Sequence, residues 1–128
     1  MEISVSPNNP VPLYQQIVDQ VKARILSGDL RPGDPLPSIR QLAEDLLASV
    51  ITTRRAYSEL EAEGLIITRT GLGTFVADIP DHVRAYLKAG VVSRHLKEGI
   101  RIGRELGLSD RDLGNMFEEL LKGRPSHD

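Results

Sequence analysis

The sequence contains two short amphipathic segments, and the connection between them restricts the fold more than any other feature of the chain. Ser38 is placed to cap the first segment, and Ser49 is placed to cap a second that stops at Gly64. Only Leu47 and Ala48 lie between the first helix and the second cap. Because this link is too short for an antiparallel helical hairpin, the spacing predicts a helix-turn-helix with a steep crossing angle.

Both segments carry an apolar stripe at helical spacing, which indicates that each presents one face to a core. Ser38 and Gln41 in the first segment have the spacing of a capping box. The stripe residues are Ile39, Leu42, Ala43 and Leu46 in the first segment, and Thr53, Ala56, Tyr57 and Leu60 in the second.

Two β-prone runs, LIITR and TFVA, follow Gly64 and are joined by a loop that contains Gly71 and Gly73. Such a pair predicts a hairpin, here the wing of a winged helix-turn-helix. The predicted fold class is therefore mainly α with a small β-hairpin (α+β). The winged helix-turn-helix is followed by a short two-helix C-terminal region for dimerisation.

Further elements are expected on either side of this stretch. Apolar spacing predicts a helix from Leu13 to about Leu26 and a long helix from Asp81 to about Leu106. Residues 2–5 could form an edge strand, Ser109 opens a last helix, and RPSHD is expected to be a frayed tail. The predicted domains are 1–78, which binds DNA, and 79–128, which is helical.

Composition excludes several classes of function. The chain of 128 residues has no cysteine and a net charge of −2, so disulfides and Cys-based metal or nucleophile chemistry are excluded. His82, His95 and His127 are scattered, so no metal site, cofactor or catalytic constellation is expected, and the chain is not predicted to be an enzyme. With no long apolar run and no signal-peptide pattern, no membrane partner is expected and a cytoplasmic location is predicted.

The exposed face of the second motif helix combines arginines with hydroxyl groups. At about 100° per residue, Ile51, Arg55 and Ser58 point away from the apolar stripe, with Thr52 and Arg54 beside them. Such a surface can bind base edges and phosphates in the major groove. The alternative is a solvated face on which the arginines pair with the glutamates that follow.

Four blocks in order carry a family resemblance: LYQQI, GDLRPGDPLPSIRQLAEDL, TTRRAYSELEAEGLI and GLGTFV. Over roughly residues 10 to 77 the chain resembles the DNA-binding domain of the GntR family of bacterial transcription regulators, and most of all its YtrA-like branch. The resemblance implies a repressor that binds double-stranded operator DNA through the helix from about Val50 to Glu63 and through the wing. The implied DNA-binding residues are Ser38, Arg40, Ser49, Ile51, Thr52, Arg54, Arg55, Ser58, Arg69, Gly71 and Gly73.

The chain departs from the family pattern at two places. Members usually have glycine where Leu47 stands, so Leu47 is either strained in a left-handed conformation or part of a different turn. Members often carry polar or basic residues where Val50 and Ile51 stand, which suggests contact with a thymine methyl group or weaker base reading.

The two C-terminal helices are too small to enclose a core, yet each has an apolar stripe. We expect the stripes to bury against a second subunit in a C2 homodimer, with packing onto the winged domain as the alternative. A small-molecule effector is unidentified, and only a cleft at the interface could hold one. The predicted interface comprises Leu87, Val91, Leu96, Ile100, Gly103, Leu113, Met116, Phe117 and Leu120.

Two classes of function therefore remain open for the chain. The first is a homodimeric, sequence-specific transcription regulator that binds a palindromic operator. The second is a winged-helix protein-interaction module without DNA-binding activity, in which Val50, Ile51 and the acidic balance form a protein contact surface. Retention of Arg40, Arg54 and Arg55 favours the first.

Overall fold

The computed structural model describes residues 1–123, so the predicted tail, including His127, lies outside the described residues. Five helices and a small antiparallel sheet within these residues confirm the predicted fold class, which is mainly α with a β wing. The elements in chain order are α1 (Leu13–Ser27), β1 (Pro35–Leu36), α2 (Ile39–Leu46), α3 (Val50–Ala62), β2 (Ile66–Arg69), β3 (Gly73–Val76), α4 (Asp81–Glu105) and α5 (Asp110–Leu121).

The chain divides into two compact units, Met1–Ala85 and a second that starts at Tyr86. The first turn of α4 belongs to the first unit, where the Arg84 guanidinium donates a hydrogen bond to the Ile25 carbonyl near the end of α1. The sequence-based division into 1–78 and 79–128 stays a prediction.

The core of the first unit forms where α1, α3 and the sheet pack together. Ile17, Val21 and Ile25 recur every four residues along α1 and are fully shielded from solvent, as is Leu60 of α3. Thr53 is the buried polar residue of α3, and its hydroxyl donates to the Ser49 carbonyl one turn earlier at 3.0 Å. A buried hydroxyl that keeps a hydrogen bond avoids most of its desolvation cost.

The sheet has three strands in the order β1-β3-β2, where the sequence predicted a hairpin of two. β1 pairs with β3 through Pro35 opposite Phe75 and Leu36 opposite Thr74. The sequence does not predict this third strand, because a two-residue strand carries no alternating pattern. Leu36 is buried and Pro35 is exposed, which fits an edge strand that carries a proline.

Residues 2–5, predicted as an edge strand, belong to no sheet, and the side chains of α1 hold this segment instead. Gln20 receives the Ser4 N–H at 3.0 Å and donates to the Ser4 carbonyl at 2.6 Å. Gln16 makes the same pair of bonds with Ser6 at 2.9 and 3.0 Å, and Arg24 donates to the Glu2 carbonyl. We call Gln16, Gln20 and Arg24 the glutamine ladder. Their side chains bond to the backbone of the segment, as a neighbouring strand would in a sheet.

The helix-turn-helix has the predicted caps, with one difference. The Ser38 hydroxyl accepts the Gln41 N–H at 3.0 Å, but the Gln41 side chain donates to Asp45 at 2.8 Å, so the capping box is not closed. Leu47 ends α2 in the left-handed region with φ 55° and ψ 37°. The first of the two alternatives for Leu47 is therefore correct.

In the second unit, α5 begins with a closed capping box, in which Ser109 and Asp112 exchange side-chain and backbone hydrogen bonds. The backbone N–H of Ser109 lowers the pKa of the Asp112 carboxyl. Leu113 lies against Gly103 of α4, where an added Cβ would meet Leu113 Cδ2 at 2.5 Å.

Among residues 1–123, no helix combines the length and apolar character needed to cross a membrane.

Candidate nucleic-acid interface

Helix α3 is held by the core on one side and presents its other side to solvent. Its N-terminus is capped by the Ser49 hydroxyl, which accepts the Thr52 N–H at 3.0 Å and donates to the Thr52 hydroxyl at 2.9 Å. The predicted stripe of Thr53, Ala56, Tyr57 and Leu60 is buried. Ser49 and Thr52, both predicted DNA-binding residues, are thus brought together, and their hydroxyls fix the first turn of the helix.

The exposed face of α3 carries the predicted arginines and an aliphatic residue. Ile51 is 81% exposed, and Arg54, Arg55 and Ser58 are exposed beside it. Within the described residues, no carboxylate forms an ion pair with either arginine of α3. The alternative of arginines neutralised by the following glutamates is therefore not what the structure shows.

One of these arginines has an aromatic partner that the sequence did not indicate. The guanidinium carbon of Arg55 lies 3.7 Å from the centroid of the Tyr14 ring, near the start of α1. A guanidinium at this distance from a ring face makes a cation–π contact. Periodicity along α1 does not show which neighbour a half-buried ring such as that of Tyr14 will meet.

A hydrogen bond joins α3 to the chain just before the N-terminus of α2. The Tyr57 hydroxyl of α3 donates to the Pro37 carbonyl at 2.6 Å, immediately before the cap Ser38. Burial raises the pKa of the Tyr57 hydroxyl, which favours its protonated, hydrogen-bond-donating form. Ser38 and Arg40 are exposed at this end of α2, where backbone N–H groups and the helix dipole favour an anion.

The wing is the hairpin of β2 and β3. Its last cross-strand pair is Arg69 opposite Gly73, and the Leu72 N–H donates to the Arg69 carbonyl at 2.9 Å. Gly71 and Gly73 have φ of 77° and 121°, which a residue with a Cβ rarely adopts. The tip places Leu72, 73% exposed, at the end of the hairpin, where the sequence pattern indicated no role for it.

The predicted DNA-binding residues therefore lie on three elements of one unit: the start of α2, the outer face of α3 and the wing. Their exposed cations are Arg40, Arg54, Arg55 and Arg69. A protruding helix with guanidiniums and hydroxyls can read base edges, while the other two elements can bind phosphates. Contact of each residue with DNA stays a prediction.

The predicted dimer residues lie in the second unit and differ in their surroundings. A groove of about 520 Å³ between α4 and α5 is lined in part by Leu96, Ile100, Met116, Phe117 and Leu120. Gly103 and Leu113 contact each other within one chain, so part of their surface is already used. Leu87 and Val91, earlier in α4, are half-buried and outside this groove. Their role in dimerisation stays a prediction.

Comparison with known proteins gives matches to the winged unit alone and to nearly the whole chain. Residues 13–76 match the family described as bacterial regulatory proteins, gntR family. The HTH-type transcriptional repressor YtrA of Bacillus subtilis (strain 168) is 33% identical over a 129-residue alignment, which covers 98% of this chain and 99% of YtrA.

Two solved structures are similar in fold. A GntR family transcriptional regulator from Listeria monocytogenes superposes with a TM-score of 0.74 at 28% identity, covering 90% of this chain and 98% of that one. AraR(DBD) in complex with operator ORX1 gives a TM-score of 0.53 at 27% identity, covering 60% of this chain and 99% of that one.

Proposed function

The chain belongs to the GntR family of bacterial regulatory proteins and is YtrA-like over its length, and from that premise we propose that it is a homodimeric transcriptional repressor that binds a palindromic operator. The observation that carries the proposal is the outer face of α3, where Arg54 and Arg55 are exposed beside Ile51 without an acidic partner in the described residues. No catalytic activity is proposed, since the family and the relatives are transcription regulators.

In the proposed complex, α3 enters the major groove by its first turns. Arg54 and Arg55 reach guanine edges or phosphates, and Ile51 lies against a thymine methyl group. The AraR domain, similar over 60% of this chain, is bound to operator DNA in its solved structure, which supports this use of the winged unit.

The proposed homodimer rests on the apolar surface of the second unit. Its described residues leave Met116, Phe117 and Leu120 about half exposed or more, beside Leu96 and Ile100. Apolar side chains exposed side by side can mark an interaction site. A second copy that covers them would form a C2 interface and present two copies of α3 to two half-sites. The groove is assigned to the partner subunit, because its lining would be buried by the dimer, and no effector is proposed.

DNA binding is tested by mobility shift with the DNA upstream of the protein's own gene. We expect Arg54→Ala and Arg55→Ala each to weaken specific binding by about 1–3 kcal/mol if they touch bases. Arg94→Ala removes another exposed arginine, from α4, and serves as the charge-matched control. If the wild type prefers no segment over random DNA, the chain is the interaction module instead.

Dimerisation is tested by sedimentation velocity at micromolar concentration. We expect the wild type to sediment as a dimer, and Phe117→Glu or Leu120→Glu to sediment as a monomer, because a carboxylate buried without a partner is costly. Arg111→Glu, an exposed position on the same helix, should remain dimeric. A monomeric wild type would refute the homodimer while leaving DNA binding open.

A further inference from the structure

The contact between Arg55 and Tyr14 joins the exposed face of α3 to helix α1. The guanidinium carbon lies 3.7 Å from the ring centroid, which is stacking distance. Arg55 is exposed and Tyr14 is half-buried, so the ring is held by the protein while the guanidinium is reachable from solvent.

The ring is a fixed support because α1 and α3 are packed tightly along their length. Val18 of α1, one turn after Tyr14, is buried, and Ala56 beside Arg55 is buried as well. A second cross-link, Lys22 to Glu63 at 2.7 Å, lies eight residues after each member of the first pair. Eight residues are about two helical turns, so the two contacts bracket the interface at both ends.

A stacked guanidinium keeps its N–H groups available. The donors of arginine lie in the plane of the guanidinium, and a ring below that plane does not block them. Stacking therefore restricts the side chain without using its hydrogen bonds. An arginine that is already ordered loses less conformational freedom when it binds, and pre-ordering of this kind raises affinity.

We propose that Tyr14 is a positioning residue for DNA binding, whose ring holds the Arg55 guanidinium in the orientation that meets the duplex. This inference rests on the proposed function, and it adds a residue of α1 to the interface. The partner remains double-stranded DNA, contacted by Arg55 itself.

The test is a double-mutant cycle on the full-length chain, with operator affinity measured by fluorescence anisotropy. We expect Tyr14→Leu to weaken binding about two- to tenfold, the range expected when one ordered long side chain is freed. Tyr14→Phe should bind within about twofold of wild type, because phenylalanine also offers a ring face to a cation. In the Arg55→Ala background, Tyr14→Leu should have no effect on affinity.

The matched control is Tyr86→Leu, which removes a 77% exposed tyrosine from α4. Thermal unfolding of each variant separates folding from binding. A Tyr14→Leu effect of equal size with and without Arg55 would mean that the ring is merely structural and would overturn the inference. So would tighter binding by Tyr14→Leu, since the stack would then hold Arg55 away from DNA.

A Tyr14→Phe variant as weak as Tyr14→Leu would also overturn the inference, because the hydroxyl group and not the ring face would be responsible. Failure of the proposed function gives a different result, in which the wild type itself shows no preference for any DNA segment. The two failures are therefore distinguished by the wild-type measurement alone.

Discussion

Leu47 shows how a single backbone conformation constrains the helix-turn-helix. It has φ 55°, the one positive φ outside glycine among the described residues, and its side chain is 95% exposed. Its N–H donates to the Glu44 carbonyl, so the conformation closes the end of α2 in the manner of a left-handed cap. A leucine that is strained and buries nothing contributes little to the turn.

Replacement of Leu47 by glycine should therefore stabilise the protein. We expect Leu47→Gly to raise the free energy of unfolding by about 0.5–1 kcal/mol, which is the left-handed penalty removed minus the added flexibility of the unfolded chain. For a unit of this size, that corresponds to a midpoint higher by about 2–8 °C in a thermal melt.

The control for this prediction is Ala48→Gly, one residue later, where φ is not positive. Glycine there should lower stability by about 0.5–1 kcal/mol. A Leu47→Gly variant no more stable than wild type would show that the strain is relieved elsewhere.

At the scale of elements, the helices were predictable because their signals are local. Ser38, Ser49 and Ser109 cap as expected, and Gly28 follows α1 in a left-handed conformation. Strand β1 was not predictable, since Leu36 pairs with Thr74 across a long stretch of chain and its two residues carry no periodicity.

The candidate site was predictable to a similar extent. Spacing alone placed Arg54, Arg55 and Ser58 on the outer face of α3, because that face follows from the buried stripe. The stack of Arg55 on Tyr14 was not foreseeable, since it depends on how α1 lies against α3. The reciprocal bonds between Gln20 and Ser4 were not foreseeable either, since they depend on how the amino-terminal segment lies along α1.

The hydrogen bond from Tyr57 to Pro37 links α3 to α2, and its loss should be measurable. We expect Tyr57→Phe to lower the free energy of unfolding at neutral pH by about 1–3 kcal/mol, because the carbonyl partner is left without a donor. Urea unfolding measures this change directly. Tyr86→Phe, at an exposed position, is the control and should have little effect.

The same tyrosine predicts a dependence on alkaline pH. Burial raises the pKa of Tyr57 in the folded protein, whereas an unfolded tyrosine ionises near about pH 10. Its stabilising contribution is thus fully present below about pH 10 and is lost as the pH rises towards the folded value. Between about pH 8 and about pH 11, wild type should lose more stability than Tyr57→Phe. Equal losses would contradict this assignment.

At the scale of the whole molecule, the net charge of the winged domain differs in sign from the charge on its candidate DNA-binding surface. Residues 1–80 carry seven lysines and arginines against ten acidic residues, so the winged domain is acidic overall. Exposed arginines lie on α2, α3 and the wing, and Arg31 is exposed in the loop before β1. Glu63 at the far end of α3 is paired with Lys22. Attraction to DNA must therefore come from a few well-placed cations.

This arrangement predicts a moderate dependence of binding on salt. With Arg40, Arg54, Arg55 and Arg69 in each of two subunits, the slope of log affinity against log salt should be no steeper than about −7. This slope can be measured by anisotropy titrations between roughly 50 and 200 mM salt. Arg69→Ala should flatten the slope by about 2, one contact per subunit. A markedly steeper slope would mean that other cations reach the DNA.

The glutamine ladder has a consequence for which changes the amino-terminal segment can accept. Its hydrogen bonds join every second residue of the amino-terminal segment to every fourth residue of α1. These spacings match, because two residues of an extended chain span about 6.6 Å and four residues of a helix span about 6 Å. The bonds run to backbone atoms of Glu2, Ser4 and Ser6, so most side chains can be exchanged there without breaking a rung. Deleting Val5 would instead move Ser4 into a half-buried position and Ile3, now half-buried, into an exposed one. The segment therefore tolerates side-chain substitutions better than a change in its length.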